Sequence, residues 1–204
     1  MPRNKDESHE KIIAAAYDEF LEYGFMDASM RRIANNCGMS ASGLYKHFPS
    51  KEEMFAALVD PTINGLMELY GDVESDYSKE LKTTKKDDLW VNQKETIRAI
   101  SYIYDHINEF KLIICKSQGT KYENFIHDMA IKEEEVTLRY MKELKKKGIP
   151  VKRINKKEFH LLVSSSVDAI FQVVLHDFTK KEAMHYAKTL DEFYLPAWKQ
   201  FFGI

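Results

Sequence analysis

Between Ala28 and Lys51 the chain carries Arg31, Arg32, Lys46 and Lys51 and no aspartate or glutamate. Among those cations stand hydroxyls at Ser29, Ser40 and Ser42, a phenol at Tyr45 and an imidazole at His47. This set suits the holding of a polyanion. Cations neutralise phosphates and release their counterions, hydroxyls donate to phosphate oxygens, and a carboxylate would repel the same surface. Spacing puts the groups where they could act together. Over Ala41 to Phe48 a helix points Leu44 and Phe48 inward at i and i+4, which leaves Ala41, Ser42, Tyr45, Lys46 and His47 outside. A solvated hairpin inside a larger bundle would show the same apolar spacing, but it has no need to exclude acids from the whole stretch.

The elements that must position these groups read as a helix-turn-helix. Ser29 is expected to cap the first helix with its hydroxyl, and Met30, Ile33, Ala34 and Cys37 are its buried positions. Gly38 stops it by entering a left-handed backbone, and Met39 packs back on the core. Ser40 caps the second helix. Before the hairpin, residues 9 to 23 form an amphipathic helix with Ile12, Ile13, Ala16, Phe20 and Leu21 inward and Gly24 as its stop. After it, Pro49 ends the second helix, and Ser50-Lys51-Glu52-Glu53 reads as a capping box that starts a longer one. Lys51 and the free N–H groups of that helix start are expected to meet a phosphate.

These residues carry a resemblance. Residues 9 to 55 are similar to the DNA-binding domain of TetR-family transcription regulators, through Ile33, Ala34, Gly38, Met39, Ser40, Tyr45, Phe48 and Lys51. The chain departs from the commonest form at Asn36 and Cys37, where small alanines are usual, and at Ser42-Gly43, where Gly then Thr is frequent. The resemblance implies a helix-turn-helix domain over residues 1 to 53 and a helical ligand-sensing and dimerisation domain over 54 to 204. It implies a repressor of transcription, released by a small, largely apolar effector, that binds a near-palindromic operator in double-stranded DNA as a homodimer through its last two helices. Tyr45, His47, Lys51 and Ser29 are then expected on phosphates, and Ala41, Ser42, Gly43 and Lys46 at or beside base edges, with Arg31 and Ser40 completing the DNA-binding set.

Composition bounds the rest. The chain has 204 residues, 44% of them hydrophobic, and a formal net charge of -2. It can bury a large core, and its few prolines and glycines with apolar spacings of three to four residues predict an all-α fold. Net charge by itself argues against a nucleic-acid binder; the distribution of charge argues for one. A polar N-terminus and the lack of a run of about twenty apolar residues predict no signal peptide and no membrane span. Two cysteines in helical contexts, Cys37 and Cys115, predict a reduced, cytoplasmic protein. No Gly-rich phosphate loop or Cys-x-x-Cys is present, so no catalytic residue, metal or cofactor is expected. An all-α enzyme or a protein-interaction module with a helical hairpin as scaffold stays as the alternative, and the acid-free stretch discriminates against it.

Downstream, Met54 to Tyr70 keep helical spacing through Pro61, and part of the polar stretch 71 to 88 is expected to extend a neighbouring helix. From Leu89 to Ser117 an apolar series that includes Trp90, Ile100 and Ile113 predicts two helices with a break near Asn108 to Lys111. Another helix is expected over 121 to 147. Its end and the following loop hold seven cations from 145 to 157, explained by the helix dipole and solvation. The last two helices, 156 to 178 and 180 to 202, are the most apolar, and pairing with a second copy would form a four-helix bundle. His160, Ser164, Asp168, Gln172 and His176 make a polar stripe on the first of these. Tyr102, His106, Phe110, Tyr140, Asp168 and Phe171 are the candidate ligand-binding set, with His106 and Asp168 as orienting groups.

Overall fold

The computed structural model describes residues 5–83 and 95–203. Among these residues the structure is helical throughout: α1 (Lys5–Asp27), α2 (Met30–Asn36), α3 (Ala41–His47), α4 (Lys51–Thr83), α5 (Glu95–Asp105), α6 (Ile107–Cys115), α7 (Phe125–Lys146), α8 (Lys156–Leu175) and α9 (Lys180–Phe202). Trp90 and the adjoining part of the expected helical run lie outside the described residues. The chain forms two compact units, one of Met1–Gly65 with His106–Asn124 and one of Leu66–Asp105 with Phe125–Ile204. The polar stretch after residue 70 continues α4 as far as Thr83, and the helix runs through Pro61.

In the first unit Ile12, Ala16 and Phe20 of α1 are wholly buried, as are Ile33 and Ala34 of α2, Leu44 of α3 and Met54, Phe55 and Val59 of α4. Phe20 and Phe25 both meet Phe55 edge-on, at 5.1 and 5.5 Å between ring centres. Each such side chain contributes roughly 1.5–3 kcal/mol by leaving water, so this aromatic knot ties α1 to α4. Gly24 interrupts α1 with φ 74° and ψ 168°, and the chain turned there bonds to α6: the Phe25 N–H donates to the Lys116 carbonyl at 2.8 Å. The α5–α6 break falls at His106, whose φ of -131° and ψ of 37° leave the helical region, a little before the expected Asn108.

In the second unit α7 packs on α8 and α5 on α9. Phe159, fully buried, gathers Trp198, Phe201 and Phe202 at about 6 Å. Thr179 and Glu182 form a capping box that starts α9, and Gly203 ends it in the left-handed conformation at φ 80°. The helix expected over 156 to 178 stops at Leu175, because Asp177 takes φ 49°, and Phe178 is exposed beyond it. Among the described residues α8 is the one helix long and apolar enough to cross a membrane, with a mean hydropathy of 1.3. Phe159, Val163, Val167, Phe171, Val173 and Val174 bury one side of it, as in a core helix, while Leu161, Leu162 and Leu175 stay exposed. On α9, Phe193 is 71% exposed.

Candidate nucleic-acid interface and interior cavity

The turn between α2 and α3 follows from its sequence. Gly38 adopts φ 70°, the Gly38 N–H donates to the Asn35 carbonyl and the Met39 N–H to the Ala34 carbonyl, closing the end of α2. Cys37 caps this end and is half-buried, not part of the buried face of α2. The Ser40 hydroxyl accepts the Gly43 N–H at 3.1 Å and starts α3 as expected. Leu44 and Phe48 point into the core, at 0% and 8% exposure. Arg31, Ser42, Tyr45, Lys46 and His47 are exposed, and Ala41 and Gly43 are half-buried at the start of α3. The sequence therefore brings one cationic, aromatic and hydroxyl-bearing surface together on α2 and α3.

Three expected groups behave differently. The Ser29 hydroxyl makes no cap; instead the Ser29 N–H donates to a carboxylate oxygen of Glu19 at 2.7 Å. Glu19 is 3% exposed and also receives Arg32, whose Nε and Nη2 lie 2.8 and 2.6 Å from the same oxygen. Arg32 further donates to the Asp27 carbonyl and lies over the Tyr23 ring, and the Glu19 bond raises its pKa further. One buried acid from α1 thus satisfies the start of α2 and holds one of the four cations. The Lys51 Nζ donates to the Met26 and Ala28 carbonyls at 3.0 and 3.1 Å and sits 4.6 Å above the Phe25 ring. An ammonium has three donors, so at most one of its N–H groups is left for a phosphate. At the start of α4 the Ser50 hydroxyl accepts the Glu53 N–H at 3.0 Å.

Residues 12–58 match the family model described as bacterial regulatory proteins, tetR family. Residues 12–58 thus form a domain of the TetR-family DNA-binding type. Related sequences agree with this placement of the TetR-family hairpin. Over 49 residues the chain is 43% identical to the HTH-type transcriptional regulator UidR of Escherichia coli K12, covering 24% of this chain and 25% of that one. Over 63 residues it is 33% identical to the HTH-type transcriptional activator FasR of Mycolicibacterium smegmatis, covering 31% and 29%. The match thus spans less than a third of either curated relative. Among solved structures, a TetR-like transcriptional regulator from Rhodococcus sp. RHA1 superposes with a TM-score of 0.59 at 18% identity, over 98% of this chain and 97% of that one. The shared fold therefore extends well beyond the TetR-family domain.

The second unit contains a cavity of about 210 Å³. Its walls come from α4, α5, α7, α8 and α9. Of the six ligand-binding candidates, Tyr140 lines it and the other five do not. Asp168 is exposed and accepts from Gln172 at 2.8 Å, because the polar stripe of α8 turns outward there. Phe171 is buried edge-on against Phe125, and Tyr102 is half-buried on α5. His106 and Phe110 belong to the other unit, where Phe110 is wholly buried core. Sequence reading missed the polar members of the lining. Tyr77 donates to Glu95 at 2.6 Å, Tyr70 and Thr137 donate to Glu133, and Thr96 donates to Asp191. Burial raises the pKa of all three acids and pushes those of Tyr70 and Tyr77 far up.

Proposed function

We propose that this chain is a DNA-binding repressor of transcription, released when a small, largely apolar molecule enters the cavity of the second unit. The observation that carries the reading is the acid-free α2–α3 surface, on which a capped helix held by Leu44 and Phe48 presents Ser42, Tyr45, Lys46 and His47 to solvent. A helix of this kind fits the major groove of B-DNA. Tyr45, His47, Arg31 and the third donor of Lys51 are assigned to phosphates, with Ser29 at their edge. Ala41, Ser42, Gly43 and Lys46 are assigned to base edges, with Ser40 as the cap that aims them. Residues 1–53 act as the DNA-binding domain and 54–204 as the sensing and dimerisation domain.

A homodimer supports this reading physically, since Leu161, Leu162 and Leu175 of α8 and Phe193 of α9 are exposed apolar groups that a second copy would cover. A paired protein would bind half-sites about one or more helical turns apart on a near-palindrome, and its place of action is the cytoplasm, where the DNA is. An effector can release DNA only by binding more tightly to the conformation that reads DNA poorly.

The test is selection of bound duplexes from a genomic library, followed by footprinting with the wild type and the Tyr45→Ala, Lys46→Ala double variant. A footprint that the double variant loses, with an unchanged circular-dichroism melt, is the expected result. Retained binding by the folded variant overturns the assignment of α3.

A further inference from the structure

We propose that the molecule taken by this cavity is an apolar cation, whose positive charge is held by Glu133 and surrounded by the aromatic side chains of the wall. The proposal rests on reading the cavity as a sensor site, and it adds a sign of charge to that reading. Among the described residues that line the cavity there are four carboxylates, Glu74, Glu95, Glu133 and Asp191, and no lysine, arginine or histidine. Glu74 is already matched, since Arg139 donates to both of its oxygens at 3.0 and 3.2 Å. Glu133 is not. Its neighbours are hydroxyls, Thr137 at 3.1 Å and Tyr70, which supply hydrogen bonds but no charge. Asp191 similarly receives a hydroxyl from Thr96.

A carboxylate enclosed among apolar groups is costly to ionise unless a cation meets it. The protein could have met that cost with a lysine or arginine, as it does for Glu74, yet the cavity that Glu133 lines is walled by Tyr70, Tyr77, Tyr140 and Tyr194, with Trp198 and Phe159. Electron-rich rings attract a desolvated cation and repel an anion. The same wall therefore discriminates in three ways. Among the described residues an anionic ligand would meet four acids and no donor cation. A neutral apolar ligand would fill the space but give the Glu133 carboxyl no charge to meet on ionising. A molecule with one positive centre on an apolar body would satisfy both the carboxylate and the rings. At about 210 Å³ the space is small beside the roughly 300–1,000 Å³ of drug-sized sites, so the occupant is small as well.

A matched trio of probes tests the charge apart from the shape: benzyltrimethylammonium, its uncharged carbon isostere neopentylbenzene, and phenylacetate. Each is titrated into the full chain and into the Glu133→Gln variant by calorimetry, with Trp198 emission as a second signal. Glutamine keeps the size of the side chain and an oxygen for Thr137 and Tyr70. The expected result is that the wild type prefers the cation to the isostere by about tenfold or more and does not take phenylacetate. Glu133→Gln should erase that preference while leaving the isostere's affinity within about twofold. If the isostere binds as well as the cation, or the cation keeps its preference in the folded variant, the charge proposal is overturned and the sensor reading stands. If no probe binds the wild type, the proposal and the sensor reading fail together. Should Glu133→Gln not fold, the comparison of the three probes on the wild type still decides the sign of charge.

Discussion

Leu44→Ala is the substitution on which the account of the DNA-reading helix depends most directly. Helix α3 has seven residues, too few to persist in water by itself, and Leu44 is its one buried residue, with Phe48 just beyond its end. Leu44 has no exposed surface, so its truncation removes a full leucine transfer term and leaves a void beneath α3. Core leucine-to-alanine changes cost about 2–5 kcal/mol, and a fully enclosed site with limited room to collapse belongs near 3 kcal/mol. Urea denaturation followed by far-ultraviolet circular dichroism should show that loss with an unchanged slope. Hydrogen exchange provides the local reading: the Leu44 and Phe48 amides, bonded to the Ser40 and Leu44 carbonyls at 3.0 Å, should exchange about two orders of magnitude faster. Operator binding should fall with them. A stability change below about 0.5 kcal/mol, with protected α3 amides, would refute the claim that core burial holds this helix.

Thr179→Ala should lower stability by about 1 kcal/mol at neutral pH through loss of the α9 cap, read by thermal melting. Its hydroxyl and N–H hold the Glu182 pKa below the ordinary glutamate value, so the contribution is complete above that range and is lost as pH falls through the lowered value. The gap between wild type and variant should therefore narrow in acid. Glu133 has the opposite sign. Burial raises its pKa, so the folded chain keeps a proton that the unfolded chain has released, and stability falls as pH rises through that window. Melts of Glu133→Gln across the same range should show a shallower pH dependence. Gly119→Ala places a side chain at φ 82° and against the Met26 sulfur. Because Met26 is exposed and can move, the loss should be the backbone part, about 1–2 kcal/mol, and should persist when Met26→Ala is added.

Local signals carried the hairpin. Gly38, Ser40, Leu44 and Phe48 act within a few residues of themselves, and the structure uses all four as their spacing suggests. Ser29 and Lys51 were misleading because their partners are distant in sequence. Glu19 is ten residues before Ser29, and Lys51 reaches back to the carbonyls of Met26 and Ala28. No periodicity encodes a backbone carbonyl as a partner. The break at His106 shows the same limit, since residues 95 to 115 keep apolar spacing across it.

The cavity was hidden for a different reason. Reading for apolar stripes treats an acid as part of the solvated face, yet Met129, Glu133, Val136 and Tyr140 follow one another at i, i+4, i+7 and i+11 on α7. A charge standing on the apolar stripe was the visible sign that this stripe faces something other than packed core. Ala187, Leu190, Asp191 and Tyr194 repeat the sign on α9. Asp168 lacked it, lying on the polar side of α8, and it is exposed.

The buried Glu19 has a consequence for how the surface responds to ionic strength. By holding Arg32, and with Lys51 held by two carbonyls, the fold withdraws half of the cations that the acid-free stretch contains. Arg31 and Lys46 are left as the outward charges of the hairpin. With Lys46 assigned to base edges, Arg31 and the remaining donor of Lys51 neutralise at most two phosphates, a slope of about -1.8 in log affinity against log salt for one hairpin, gentle for a DNA-reading surface. A protein of this construction would attach to its site chiefly through shape and hydrogen bonds from Ser42, Tyr45 and the helix start. It would keep its hold as salt rises, and would spend little time on DNA of arbitrary sequence.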